Sequence, residues 1–137
     1  MFERCLYFNT NALTRKLNSI WEEAFSQFDL PPSHAYLLRL VLESPGQTQQ
    51  ELARELSLNK STVNRFVVAL EKKNLLVRES DAHDQREKRI KPSGKAMSIH
   101  RELEKLGKDL YLSMCSTLGK KYVESFVNAA RNINKAL

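Results

Sequence analysis

Residues 48–80 read TQQELARELSLNKSTVNRFVVALEKKNLLVRES, and the spacing within them decides the fold. Thr48 and Glu51 stand three apart. In that arrangement a hydroxyl takes the N3 amide while a carboxylate reaches back to the cap's own amide. A short helix, TQQELAREL, follows with Leu52, Ala53 and Leu56 inward. SLN makes the turn. Asn59 is suited to cap the next helix. There Val63, Phe66, Val67 and Leu70 form an apolar stripe at steps of three and four. Asn74 falls where a left-handed residue, usually Gly, ends a helix. Beyond it the period changes, and LLVRES opens with strand formers.

Working outward, DAHDQREKRI at 81–90 holds seven Asp, Glu, Lys, Arg or His residues in ten. It has no glycine and little to pack. A charged loop between LLVRES and KRIK points to a hairpin. Pro92 ends the second run because it has no amide for a ladder. Ser93 can cap a long helix striped by Ile99, Leu103, Leu106, Leu110 and Met114. Gly119 breaks it, and Val123, Phe126, Val127, Ala130 and Ile133 mark a last helix. Upstream, Leu13, Leu17, Ile20, Trp21, Ala24 and Phe28 stripe a first helix, which LPPS at 30–33 ends. Ser33 is expected to cap a second helix through about Glu43, and SPG at 44–46 is a break.

This order spells a winged helix-turn-helix. The expected fold is mainly α, with a two-stranded β wing and N- and C-terminal dimerisation helices. Residues 1–137 form one domain. The winged region occupies 30–93, and 1–29 and 94–137 form a helical dimerisation region.

The chain of 137 residues is 42% hydrophobic and 28% charged, enough for a real core. Its formal net charge is +6. Residues 59–95 hold ten Lys/Arg and five Asp/Glu, so most of that excess sits on the turn, the following helix and the hairpin. An anionic partner such as nucleic acid follows. No apolar run is long enough for a bilayer, and MFERCLYFNT lacks a signal-peptide plan, so a cytoplasmic location is expected. Cys5 and Cys115 match no metal spacing and are expected as thiols. No phosphate loop, H-E-x-x-H or clustered His/Cys/Asp set is present; His34, His83 and His100 fall on separate elements. No enzyme, metal or cofactor is expected.

The B-DNA major groove admits one α-helix, whose N-terminal residues meet base edges. NKSTVNRFVVALEKK has an apolar face for docking and a polar face for reading. Its outward residues are Lys60, Ser61, Thr62, Asn64 and Arg65. Asn and Arg can make paired hydrogen bonds to adenine or guanine; Ser and Thr can serve bases or phosphates. A basic hairpin tip beside such a helix can reach the adjacent minor groove, where arginine is favoured. Asp81 or Asp84 could hold Arg86 or Arg89 extended.

These stretches resemble the MarR family of bacterial transcriptional regulators over nearly the whole chain. The family's wing pattern is D-P-x-D-x-R; here Asp81, Asp84 and Arg86 match it, with Ala82 in place of Pro. The resemblance makes Arg86 the minor-groove arginine and Asp84 its brace. Lys88 joins them in the wing, and Lys60, Ser61, Thr62, Asn64 and Arg65 fall on the recognition helix. Thr48 and Gln49 fall where phosphate contacts are expected. Asn74 replaces the usual Gly, Pro92 an apolar residue, and Ser93 a capping Thr.

The resemblance implies a repressor that binds double-stranded DNA at a palindromic operator as a homodimer and is released by a small molecule or an oxidant. Leu6, Phe8, Val123, Phe126, Ile133 and Leu137 are interface candidates. Cys5, beside Arg4, loosely resembles the sensing cysteine of the organic-hydroperoxide branch, with Tyr7, Tyr111 or Tyr122 as hydrogen-bond donors. The rival reading of Cys5, as of Cys115, is simple packing. Trp21, Phe25, His34 and Arg39 are candidates for a pocket taking a small anionic or phenolic ligand. The alternative to a DNA regulator is a winged-helix protein-interaction module.

Overall fold

A computed structural model describes residues 1–137. Six helices and one hairpin follow in order: α1 (Leu6–Phe25), α2 (Pro32–Glu43), α3 (Gln49–Leu56), α4 (Lys60–Lys72), β1 (Leu76–Ser80), β2 (Lys88–Pro92), α5 (Gly94–Leu118) and α6 (Lys120–Ala136). A 3-10 turn at Ser26–Phe28 closes α1. The chain divides into two compact units, Met1–Leu103 and Glu104–Leu137. The division falls inside α5 rather than at the edges of the 30–93 segment. In the first unit α1 packs on α2 beside the winged elements.

The core of the first unit is built from facing helix stripes. Phe25, Leu37, Leu38, Val41, Leu52, Val63, Val67 and Leu70 are fully buried. Each such side chain contributes about 1.5–3 kcal/mol when removed from water. Ile90 of β2 joins this core, so the root of the wing is anchored by an apolar side chain while its tip is not.

Local chemistry sets the element ends. The capping box at Thr48 forms in full: Glu51 N–H donates to Thr48 Oγ1 at 3.2 Å, and Thr48 N–H donates to Glu51 Oε2 at 3.0 Å. Asn59 Oδ1 accepts from Thr62 N–H at 2.7 Å. Ser93 Oγ accepts from Ala96 N–H at 3.1 Å, starting α5. Ser33 does not cap α2; the cap is Pro31, and Pro32 opens the helix. A proline there is preset to helical φ and has no amide in need of a partner, so a side-chain cap one residue later is not required.

Two left-handed residues close α3 and α4. Asn74 has φ +60°, and its amide bonds Glu71 O while Leu75 N–H bonds Leu70 O. Ser57 has φ +54°, with the same pair of bonds from Ser57 and Leu58 to Arg54 and Ala53. Both ends are Schellman motifs. Asn tolerates this geometry, but a serine gives no sequence sign of it.

In the wing, β1 and β2 are antiparallel and register Leu76 with Pro92 through Ser80 with Lys88. Pairing therefore continues through Pro92. This is possible because Pro92 is the last residue of its strand, and Ser93 N–H then donates to Leu75 O at 3.0 Å. Gln47 adds a single bridge to Ile90, tying the segment before α3 to the wing.

In the second unit α6 is amphipathic and buries no residue fully. Phe126, Val127, Tyr122 and Leu137 are exposed there. No helix is long and apolar enough to cross a membrane.

Candidate nucleic-acid interface

The N-termini of α3 and α4 and the wing border one open groove of ≈ 320 Å³. It is lined by Thr48, Gln49, Gln50, Lys60, Arg78, Asp84, Arg86, Glu87 and Lys88. Six of the ten residues selected from the sequence for DNA contact line this groove. The other four, Ser61, Thr62, Asn64 and Arg65, lie on α4, where Ser61, Asn64 and Arg65 are exposed and Thr62 is half-buried.

Several of these side chains are already held. Ser61 Oγ donates to Asn59 Oδ1 at 2.8 Å, so the α4 cap also fixes the first hydroxyl of the helix. Arg65 Nη2 donates to Thr62 Oγ1 at 3.2 Å, which turns the guanidinium back toward the helix start. Lys88 Nζ donates to Ser80 Oγ at 2.7 Å across the wing. Gln49 Nε2 and Arg78 Nη2 both donate to Asn64 Oδ1, at 2.9 and 3.1 Å.

Thr48 is the exception among the ten. It is only 7% exposed and its hydroxyl serves the cap. What this end of α3 offers an anion is the amides of its first turn and the positive end of the helix dipole.

The charged loop has an internal order. Asp81 Oδ1 accepts from His83 N–H at 2.8 Å, and Asp84 Oδ1 accepts from Arg86 N–H at 2.9 Å. Each is an Asx turn, which replaces the missing glycines. Asp84 therefore braces the backbone at Arg86 rather than its guanidinium, because two residues of separation suit an amide better than a long side chain. Arg86 itself is exposed at the tip.

The side-chain brace is Arg89 with Asp81. Arg89 Nε and Nη2 both reach Asp81 Oδ2, at 2.9 and 2.8 Å. The His83 amide, followed by Arg89, lowers the Asp81 pKa below the usual carboxylate value. Asp81 in turn raises Arg89. Arg89 also lies 3.9 Å from Glu51 Oε2, the carboxylate of the α3 capping box.

Arg78 is not among the residues the sequence singles out; Arg89 is, as one of two arginines that Asp81 or Asp84 could hold. A single Arg inside a strand looks like a solvent-face residue. The partner of Arg78 is Glu71 Oε1 at 2.8 Å, across the α4-to-β1 turn. Only the register of that turn brings them together.

Residues 28–87, the span from the end of α1 to the wing tip, match the MarR family. Over that span the chain is similar to the MarR family.

The fold is shared closely with several solved structures. A MepR–DNA complex of S. aureus superposes with a TM-score of 0.86 at 20% identity, covering 98% of this chain and 100% of MepR. The transcriptional repressor CouR, solved on a 23-mer DNA duplex, gives 0.87 at 19%, covering 97% and 94%. PcaV of Streptomyces coelicolor, solved with its natural ligand, gives 0.82 at 17%, covering 99% and 96%. At such identities the likeness is one of fold.

The other candidate sites in this chain are arranged as follows. Cys5 caps α1, its Sγ accepting from Phe8 N–H at 3.4 Å, and it is half-buried. Tyr7 is exposed. The Tyr111 pKa is raised, first through a hydrogen bond to Cys115, so Tyr111 has its partner within the second unit.

Three of the four pocket candidates, Trp21, Phe25 and Arg39, gather about Tyr36. Phe25 is fully buried, and Trp21 Nε1 donates to Tyr36 Oη at 3.1 Å. The Arg39 guanidinium lies 4.8 Å from the centre of the Tyr36 ring. The His34 ring stands 4.6 Å from that of Phe66. Burial, then the Lys73 charge, lowers the His34 pKa. A separate cleft of ≈ 490 Å³ is lined by Glu22, Ser26, Asp29, Leu30, Pro31, Pro32 and Lys73, none of them from that set. Sequence reasoning missed it because a left-handed Asp29 and two prolines form its wall, and no residue type there signals a ligand.

Proposed function

We propose that this protein is a DNA-binding transcriptional regulator, not an enzyme, that reads a palindromic operator as a homodimer in the cytoplasm. One observation carries the reading: the helix α4 and the wing present Lys60, Arg86 and Lys88 on one groove. A helix N-terminus beside a basic hairpin fits the major groove and the neighbouring minor groove of one duplex face. Lys60, Ser61, Thr62, Asn64 and Arg65 read or position from α4. Arg86 enters the minor groove from a tip shaped by Asp84, Lys88 meets phosphate, and Gln49 with the first turn of α3 holds the backbone. Thr48 acts by capping that turn. MepR and CouR, of the same fold, are solved with DNA.

Dimerisation is supported by apolar surface left uncovered at both ends of the chain. Leu6 and Phe8 on α1, and Phe126, Ile133 and Leu137 on or just after α6, are exposed. Such surface marks an interaction site. Two copies would place two reading heads about one helical turn apart.

Repression is released when a small anionic or phenolic compound binds, or when Cys5 is oxidised. PcaV, solved with its natural ligand, supports the first route. The capping thiol supports the second, since oxidation of Cys5 Sγ alters the start of α1. Hydroperoxide that releases DNA from the wild type but not from Cys5→Ser would favour the second; equal release from both removes it.

The test of the function is binding to a duplex from upstream of its own gene, against a scrambled duplex, over a salt series. Preferential binding that weakens with salt is expected. Equal, weak binding to both duplexes would refute sequence reading and favour a protein-docking role.

A further inference from the structure

Asn64 stands on the exposed side of α4, yet its carbonyl oxygen is already used. Gln49 Nε2 donates to Asn64 Oδ1 at 2.9 Å from α3, and Arg78 Nη2 donates to it at 3.1 Å from β1. A carboxamide oxygen has two acceptor positions, so both are filled. The amide cannot simply be turned over. A guanidinium is only a donor, so the Asn64 atom facing Arg78 is the oxygen. Arg78 is fixed in its turn by Nε donating to Glu71 Oε1 at 2.8 Å, a pair whose side chains are 24% and 34% exposed. The row Gln49, Asn64, Arg78, Glu71 thus ties α3, α4 and β1 together. What Asn64 has left is its NH2 group.

This changes which base the residue can read. The paired contact to adenine needs the amide oxygen to take N6–H while the NH2 gives to N7. With the oxygen filled, an adenine amino group meets no acceptor, and cytosine presents only its own donor. Guanine offers N7 and O6, and thymine offers O4, all acceptors. We infer that Asn64 is held as a donor-only reader that selects guanine or thymine over adenine, and that Arg78 is the positioning residue that sets this choice. The inference rests on the DNA-reading function proposed above and names its specificity at one base.

The experiment is selection from a pool of randomised duplexes with the full-length protein, followed by sequencing. Asn64→Ala identifies the base read by residue 64, as the position where preference is lost. In the wild type that base is expected to be guanine or thymine. Arg78→Met empties one acceptor position on Asn64, so the adenine-to-guanine preference at that base should rise about five- to a hundred-fold, the worth of one paired contact. Other positions should keep their preference, which a merely loosened fold would not allow. Gln49→Ala removes the second donor and leaves the Arg78–Glu71 pair intact; it should shift the same base the same way, and serves if Arg78→Met does not fold. Adenine at that base in the wild type, or no shift in either variant, overturns the inference. So does an Asn64→Ala pool identical to the wild type, although sequence reading itself would stand. A wild-type pool with no preference anywhere overturns the DNA-reading function and this inference with it.

Discussion

Arg86→Ala should change how salt acts on DNA binding more than it changes the protein. Arg86 is exposed at the wing tip, and only its backbone amide is held, by Asp84. Its removal leaves the Asp81–Arg89 brace and the buried Ile90 root in place. Each cation that displaces a counterion adds about 0.9 to the slope of log K on log salt. A dimer loses one at each wing, so the slope should flatten by about 2. The wild-type advantage should therefore shrink about ten-fold between roughly 50 and 200 mM salt. The assay is a titration of fluorescent operator at several salt concentrations, with Lys16→Ala on the exposed side of α1 as a control expected to match the wild type. Unfolding curves should coincide for all three proteins. A variant line parallel to the wild-type line would refute the placement of Arg86 on DNA.

Asn59→Ala removes the acceptor of the Thr62 amide and of Ser61 Oγ; denaturant unfolding should show a loss of about 1 kcal/mol. Ile90→Ala empties a fully buried position at the wing root and should cost about 2–5 kcal/mol, measured the same way. Ser57→Gly relieves a left-handed serine and should stabilise by about 0.5–1 kcal/mol, after glycine's greater unfolded-state freedom is offset. The half-buried His34 has a folded pKa below its ordinary 6.5. Above that value both states are neutral; as pH falls through it the unfolded chain gains a proton that the folded chain resists, and stability is lost. His34→Leu should flatten this loss in unfolding curves taken from pH 7.5 to 5; an unchanged pH profile would assign it elsewhere.

The winged segment was legible because its signals are local. The Thr48 and Asn59 caps, the stripe of Val63, Val67 and Leu70, and the left-handed Asn74 each depend on neighbours within five residues. The misses came from other sources. Ser33 has the chemistry of a cap, but a proline one residue earlier does that work through its ring. The resemblance makes Asp84 the brace of Arg86, and it braces through the Arg86 amide, because an Asx turn needs only the short reach of the carboxylate. Arg78 finds its partner seven residues away, across a turn, and Asp81 with Arg89, eight apart across the strand pair, is only one of the pairings the sequence leaves open. Such distances carry no period, and only strand register resolves them.

Those two arginines explain why a reading face made of surface residues can be well defined. Burial cannot orient it, since its side chains must stay open to solvent and to a duplex. Val63 and Ile90 are fully buried and do not line the groove. Outside that core order comes from charged and polar bonds between elements: Arg78 joins β1 to Asn64 and Glu71 of α4, and Arg89 joins β2 to Asp81 and approaches Glu51 of α3. In water such bonds contribute little to global stability when half-exposed. Their effect is on position. A groove in which two arginines are committed to holding the frame leaves Lys60, Arg86 and the Asn64 amide hydrogens as the groups free to meet a partner. It follows that variants of Arg78 or Arg89 should alter selectivity among duplexes more than unfolding midpoints, the reverse of what Ile90→Ala should do.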